Sequence, residues 1–176
     1  MNKLPDPLAA ATETHEESPF GLTNAQLAAM PTVYRDDLLA GKVMLISGGS
    51  SGIGKATAFL AARLGAEVVI CGRTNDKLSF VRDAIASVTG RQIMTVPMSI
   101  REPDAVEAML DAVWARFGKL DCVVNNAGGQ FPQDAIDFSR KGWMAVIDLN
   151  LNGSWWMMQE AAKRWCAKGE TGGIIN

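Results

Sequence analysis

The stretch Ser47-Gly48-Gly49-Ser50-Ser51-Gly52-Ile53-Gly54 stands between an apolar run, Val43 to Ile46, and a helical run beginning at Lys55. Its glycines allow a tight backbone turn and close approach to a bulky anion. The free N–H groups and positive dipole of the following helix would face that negative charge. Such a turn has to be delivered by a strand and received by a helix, so the first expectations are an α/β arrangement and a phosphate-bearing ligand.

A length of 176 residues, 48% of them hydrophobic, suits one domain with a substantial core. The formal net charge is −2, with 17 Lys+Arg against 19 Asp+Glu and no run of one sign. That balance offers no positive field for nucleic acid and no membrane-binding patch, so the expected partner is a small molecule. Met1 to Thr14 is polar and broken by Pro5 and Pro7, and no segment is an apolar run long enough to cross a bilayer. A soluble, cytoplasmic protein without a membrane partner is expected. Cys71, Cys122 and Cys166 are odd in number and widely spaced, which favours reduced, buried thiols over disulfides or metal ligands. The single histidine, His15, lies near the amino terminus and argues against a zinc site or a Ser-His-Asp triad.

Residues 1–40 lack a sustained hydrophobic period and carry Pro5, Pro7, Pro19 and Pro31. They read as an arm, either a partly ordered leader or a segment that wraps the domain or a neighbouring subunit. One short helix is expected from Thr23 to Met30, with Thr23 as its cap. Regular alternation starts at residue 41: strand Val43–Ser47, helix Gly54–Leu64, strand Glu67–Cys71, helix Asn75–Val88, strand Gln92–Val96. A helix opened by Pro103 follows, with Val106, Met109, Leu110, Val113, Trp114 and Phe117 as its apolar stripe. Leu120–Asn125 reads as a fourth strand, Ser139 to Lys168 as a long helical region, and Gly172–Asn176 as the start of a fifth strand. Short apolar strands separated by amphipathic helices imply right-handed crossovers and a doubly wound parallel sheet with helices on both faces. Ligands in that architecture bind beyond the carboxyl ends of the strands, where the glycine turn lies.

Gly48-x-x-x-Gly52-x-Gly54 is not the commonest dinucleotide spacing, and Lys55 is followed by Ala56 rather than the Ser or Thr of a P-loop. The second strand ends Val69-Ile70-Cys71-Gly72-Arg73-Thr74. An acid there would meet a free ribose 2′-hydroxyl, whereas a cation suits a 2′-phosphate. Glu67 opens the strand, more than about 10 Å from its carboxyl end at about 3.3 Å per residue. Arg73 therefore points to NADP(H) in preference to NAD(H).

These residues resemble the short-chain dehydrogenase/reductase family. The signature T-G-x-x-x-G-x-G is matched from Ser47 to Gly54 with serine for threonine, N-N-A-G by Asn125-Asn126-Ala127-Gly128, and N-x-x-G by Asn150-Leu151-Asn152-Gly153. The resemblance covers the chain from about Gly41 onward and implies a Rossmann-type fold, here reaching only the fifth strand. It also implies that Ser47, Gly48, Ser50, Ser51, Gly52, Ile53 and Gly54 hold the pyrophosphate and Arg73 the 2′-phosphate. Asn126, Ala127 and Gly128 would flank the adenosine half. The family's aspartate near adenine is matched by the uncharged Ser99, followed by Ile100. Gly128-Gly129-Gln130-Phe131, Ser139-Arg140-Lys141-Gly142-Trp143 and Ile100-Arg101 look closest to the peroxisomal trans-2-enoyl-CoA and 2,4-dienoyl-CoA reductase branch.

Asn150 follows Val146 by four residues and Trp143 by seven, which on a helix puts its amide on the apolar face turned toward the sheet. Taken alone, it could bond a neighbouring strand or kink the helix. The resemblance gives it a catalytic role, holding a water in the proton relay. The family's usual serine and Tyr-x-x-x-Lys pair do not occur, since the single tyrosine, Tyr34, has no lysine four residues on. The expected identity is thus the cofactor-binding portion of an NADP(H)-dependent oxidoreductase acting on an enoyl thioester or a carbonyl compound, either a fragment or a half completed by another chain. The alternative is a non-catalytic dinucleotide-binding module. Trp155 and Trp156, with Met157 and Met158, are divided between core filling and a partner-facing surface, and a homo-oligomer or a completing chain is expected.

Overall fold

The computed structural model describes residues 21–176. The first half of the expected arm, with His15, lies outside the described residues. Strands β1 (Val43–Ser47), β2 (Glu67–Gly72), β3 (Met94–Pro97), β4 (Cys122–Val124) and β5 (Gly173–Ile175) form one parallel sheet in the order β3-β2-β1-β4-β5. The winding reverses between β1 and β4, which puts the end of β1 at the switch point of a doubly wound sheet.

Register explains the two-sided core. Leu45 pairs with Val69 and Val123, and Ile46 with Ile70 and Val124. Successive strand side chains point to opposite faces. Leu45, Val69 and Val123 therefore pack on α4 (Pro103–Phe117) and α6 (Gly153–Lys168). Ile46, Ile70 and Val124 pack on α2 (Gly52–Arg63) and α3 (Asn75–Thr89). The helices begin and end where the sequence marks them: Pro103 opens α4, and the left-handed Gly90 and Gly118 close α3 and α4. On α4, Val106 to Trp114 are buried as the apolar stripe requires; on α3, Val88 lies half exposed past the buried Leu78, Val81 and Ile85.

The described part of the arm is docked. In α1 (Asn24–Ala29) the Thr23 hydroxyl accepts the Gln26 N–H at 3.1 Å, and the Gln26 side chain accepts the Thr23 N–H at 2.8 Å. Leu27 enters the core beside α2 and α3. Arg63 donates to the carbonyls of Leu27 and Met30 at 3.0 and 2.7 Å, satisfying the open carboxyl end of α1.

The helical region expected over 139–168 is helical throughout, α5 (Arg140–Ile147) running into α6 through a wide turn, Asp148–Asn152, in which the Gly153 N–H bonds the Asp148 carbonyl five residues back. Two other expectations need correction. Cys71 is buried, but Cys122 is only partly so and Cys166 is exposed on the outer side of α6, with all three thiols free. The β4 ladder is three residues long rather than six, because Leu120, Asp121 and Asn125 lie outside it. On α6 itself, Trp155 is exposed, Trp156 partly buried and Met157 buried. Among the described residues, no helix is long and apolar enough to cross a membrane.

Asp121 fastens the base of the sheet. Its carboxylate accepts the Val43 N–H at 2.9 Å and the Lys42 and Lys119 ammonium groups at 3.0 Å each. Its backbone bonds Val43 on β1 and Gly173 on β5. Burial pushes this carboxyl up, but the Val43 N–H and the Lys119 and Lys42 ammonium groups outweigh burial and hold it below the ordinary range. A depressed carboxyl contributes stability above its unfolded value of about 3.9, and that contribution is lost as pH falls through the folded value. Asp121→Asn is expected to destabilise the fold by about 1–3 kcal/mol at pH 7 through the lost charge-assisted bonds. Urea titrations from neutral pH down into the acid range should also show a flatter pH dependence for the variant; identical slopes would remove the clamp.

Candidate functional site

A cleft of about 520 Å³ opens beyond the carboxyl ends of β1, β2 and β4, within the size range of ligand sites. Gly48, Ser50, Ser51, Gly52 and Ile53 of the β1–α2 turn, Arg73 after β2, Ser99 and Ile100 after β3, and Asn126, Ala127 and Gly128 after β4 all line it. Ser47, Gly54 and Asn150 do not.

Ser47 is completely buried and works as a lock. Its hydroxyl accepts the N–H groups of Asn126 and Ala127 at 3.1 and 3.0 Å and donates to the Val124 carbonyl at 3.4 Å. The Asn126 amide returns two bonds, to the carbonyls of Ser47 and Gly48 at 3.0 and 3.3 Å. This reciprocal set holds the glycine turn against the β4 loop. It also explains two of the glycines. Gly48 has φ +67°, and a Cβ there would lie 2.9 Å from the Asn126 amide and 3.1 Å from the Ala127 Cα. At Gly54, a Cβ would collide with the same amide and with the Gly48 carbonyl.

Charge in the cleft is one-sided. Arg73, Lys77 and Arg101 line it, and among the described residues no aspartate or glutamate does. Lys77 and Arg101 were not singled out from the sequence as ligand contacts. Lys77 lies four residues after Arg73, one turn into α3, and that spacing was the available signal. At the start of α2, Ser51 makes no side-chain cap and the first turn holds no acid, so its amides face the cleft without a competing carboxylate. Burial pushes the Cys71 thiol up to about 12, which leaves this wall of the cleft neutral and unreactive. A glycine cradle, cations and uncapped helix amides fit a phosphate-bearing nucleotide.

Asn150 differs from its expected placement. It is exposed, and Trp143, which shares the inferred face, is 57% exposed. The inferred apolar face already fails within α5, where Trp143 stands exposed before the wide turn at 148–152 begins. The side chain instead meets the β4–α5 loop. Its Nδ2 donates to the carbonyls of Gly129 and Val146, both at 2.8 Å, and its Oδ1 accepts the Gly129 N–H at 3.1 Å.

A family profile described as short chain dehydrogenase matches residues 42–176. The Bacillus subtilis protein named probable 2,4-dienoyl-CoA reductase is 37% identical over 77% of this chain and 53% of its own. The 2-dehydro-3-deoxy-D-gluconate 5-dehydrogenase of Escherichia coli is 36% identical over 78% of this chain and 53% of its own. The crystal structure of a short chain dehydrogenase from Bacillus anthracis superposes with a TM-score of 0.72 at 42% identity, covering 77% of this chain and 56% of that one. The chain spans about half the length of the curated relatives it matches.

The lock can be tested without any ligand. Ser47→Ala strands two N–H groups against the sheet and is expected to cost about 1–3 kcal/mol. Urea unfolding should show a lower midpoint at unchanged slope, and an unchanged midpoint would mean that the hydroxyl does not hold the turn.

Proposed function

The chain belongs to the short-chain dehydrogenase family, and from that premise we propose that it carries the cofactor-binding part of an NADP(H)-dependent oxidoreductase. The observation that supports the choice of cofactor is the cleft's charge, with Arg73, Lys77 and Arg101 in the lining and no acid among the described residues that line it. A carboxylate would be needed to hold a free ribose 2′-hydroxyl and would repel a 2′-phosphate; guanidinium and ammonium groups do the reverse.

In this reading Gly48, Ser50, Ser51, Gly52 and Ile53 cradle the pyrophosphate at the start of α2, and Arg73 takes the 2′-phosphate. Ser99 and Ile100 face adenine, while Asn126, Ala127 and Gly128 flank the adenosine half. Ser47 and Gly54 act indirectly, by holding the turn's shape. When bound, the cofactor supplies hydride transfer at its nicotinamide. Asn150 has both amide hydrogens engaged, so it offers a relay water only the second lone pair of Oδ1.

Enoyl thioesters and carbonyl compounds are the substrate classes we propose for the whole protein. The names of the similar proteins support both, one acting on a dienoyl-CoA and one on a sugar acid. The exposed faces of Trp143 and Trp155 support a second copy or a completing chain as partner.

Fluorescence titration with NADPH and NADH tests the cofactor choice. Arg73→Asp is expected to weaken NADPH binding by about 10-fold to 100-fold, the worth of one charge-assisted phosphate contact, and to change NADH binding by less than about threefold. Equal losses for the two cofactors would overturn the preference.

A further inference from the structure

The wide turn at 148–152 leaves two carbonyls just before it, Ala145 and Val146, each receiving a side-chain donor. Val146 takes the Asn150 amide at 2.8 Å, within the same turn. Ala145 takes the Arg101 Nη2 at 3.0 Å, from the loop that follows β3. That loop is seated on the turn at a second point. Ile100 is buried against Gly153, where an added Cβ would lie 2.7 Å from its Cγ1 and 3.1 Å from its carbonyl oxygen. The loop is braced internally as well, since the Arg101 N–H donates to the Ser99 hydroxyl at 3.3 Å.

Arg101 thus belongs to two structures at once. It lines the cleft with Ser99 and Ile100, and it grips the backbone one turn ahead of Asn150. Beyond the turn, Asn150 exchanges bonds with Gly129, immediately after the cleft-lining Gly128. A closed path runs from the wall after β3, through Arg101 and the wide turn, to Asn150 and the wall after β4.

We propose that Arg101 is a positioning residue that couples a nucleotide in the cleft to the orientation of the Asn150 amide. A wide turn, a single-turn bulge of the kind found frequently at functional sites, interrupts the regular i to i−4 bonding of the helix on either side. The guanidinium holds it through a donor fixed on the opposite wall, so a ligand that orders the loop after β3 also orders Asn150. The role of the coupling in turnover rests on the oxidoreductase reading above, whereas the mechanical tie belongs to the chain itself.

Hydrogen–deuterium exchange on the chain, with Arg101→Met and Arg101→Lys beside the wild type, tests the proposal. Without ligand, Arg101→Met is expected to speed exchange about tenfold at residues 148–153 and at Gly129 while leaving the β1 and β2 amides unchanged. Arg101→Lys, which keeps one donor for the Ala145 carbonyl, should recover part of the protection. Saturating NADPH should slow exchange at 148–153 in the wild type and not in Arg101→Met. Exchange at 148–153 within about twofold of wild type in Arg101→Met, or NADPH protection that survives the substitution, overturns the coupling. If NADPH fails to bind the wild type, the cofactor reading falls, and the ligand-free comparison still decides the role of Arg101.

Discussion

The bond set between Ser47 and the Asn126–Ala127 backbone is the constraint on which the rest of the cleft depends. One hydroxyl with no solvent exposure takes two N–H groups from the loop after β4, and one amide from that loop takes two carbonyls of the glycine turn. Buried polar groups of this kind are costly when unpaired, so the set forms as a whole or not at all. With it formed, the turn at the end of β1 has one possible height above the sheet. The start of α2 is fixed by the same contacts, because Gly54 packs without a side chain against the very amide that bonds Gly48. The geometry of the anion cradle is therefore set from below, by β4, rather than by the ligand.

Much of this was legible in the sequence because it follows from two periods and a few capping rules. The β-branched and aliphatic runs at 43–46, 67–71 and 122–124 can be buried on both faces only in a parallel sheet, and Pro103, Gly90 and Gly118 mark helix ends for reasons of backbone geometry. Thr23 and Gln26 carry a capping box that sequence alone announces. Other features depend on tertiary contacts that no local pattern encodes. Ser47 reads as part of a cradle, yet its hydroxyl turns inward to a loop that lies 79 residues away. The wide turn at 148–152 has no composition of its own, and the face assigned to Asn150 failed because Trp143, an apolar residue by type, stands exposed on α5. Nothing local to Arg101 announces its bond to the Ala145 carbonyl, which exists only because the fold brings α5 beside the loop after β3.

The long helical region illustrates how one element is fixed at one end and adjustable at the other. Toward its carboxyl end, α6 is pinned by Arg164, which donates to Asp111 and the Glu107 carbonyl on α4 and to Glu160 on its own helix. Trp165 adds a bond from its indole N–H to the Leu120 carbonyl at 2.7 Å. Burial pushes the Arg164 guanidinium down, but Asp111 and Glu160 outweigh it and raise it, which marks a pair network that stays ionised. Toward its amino end, α6 is held by apolar contacts, Gly153 against Ile100 and Met157 in the core, with the wide turn just before it. A displacement of the loop after β3 is thus felt at Asn150 sooner than at Arg164.

Position 99 brings these strands of argument together. An aspartate there would place a carboxylate beside the Arg101 backbone N–H and within reach of its guanidinium. It would compete with the Ala145 carbonyl for that donor and add the negative charge that the cleft's lining otherwise lacks. Serine keeps the loop-bracing hydrogen bond and removes the charge. Among the described residues the guanidinium then has no acid in the lining to pair with, which favours its bond to Ala145. The neutral residue after β3 and the cations lining the cleft are in this sense a single electrostatic choice, made at one end of the cleft and expressed at the other.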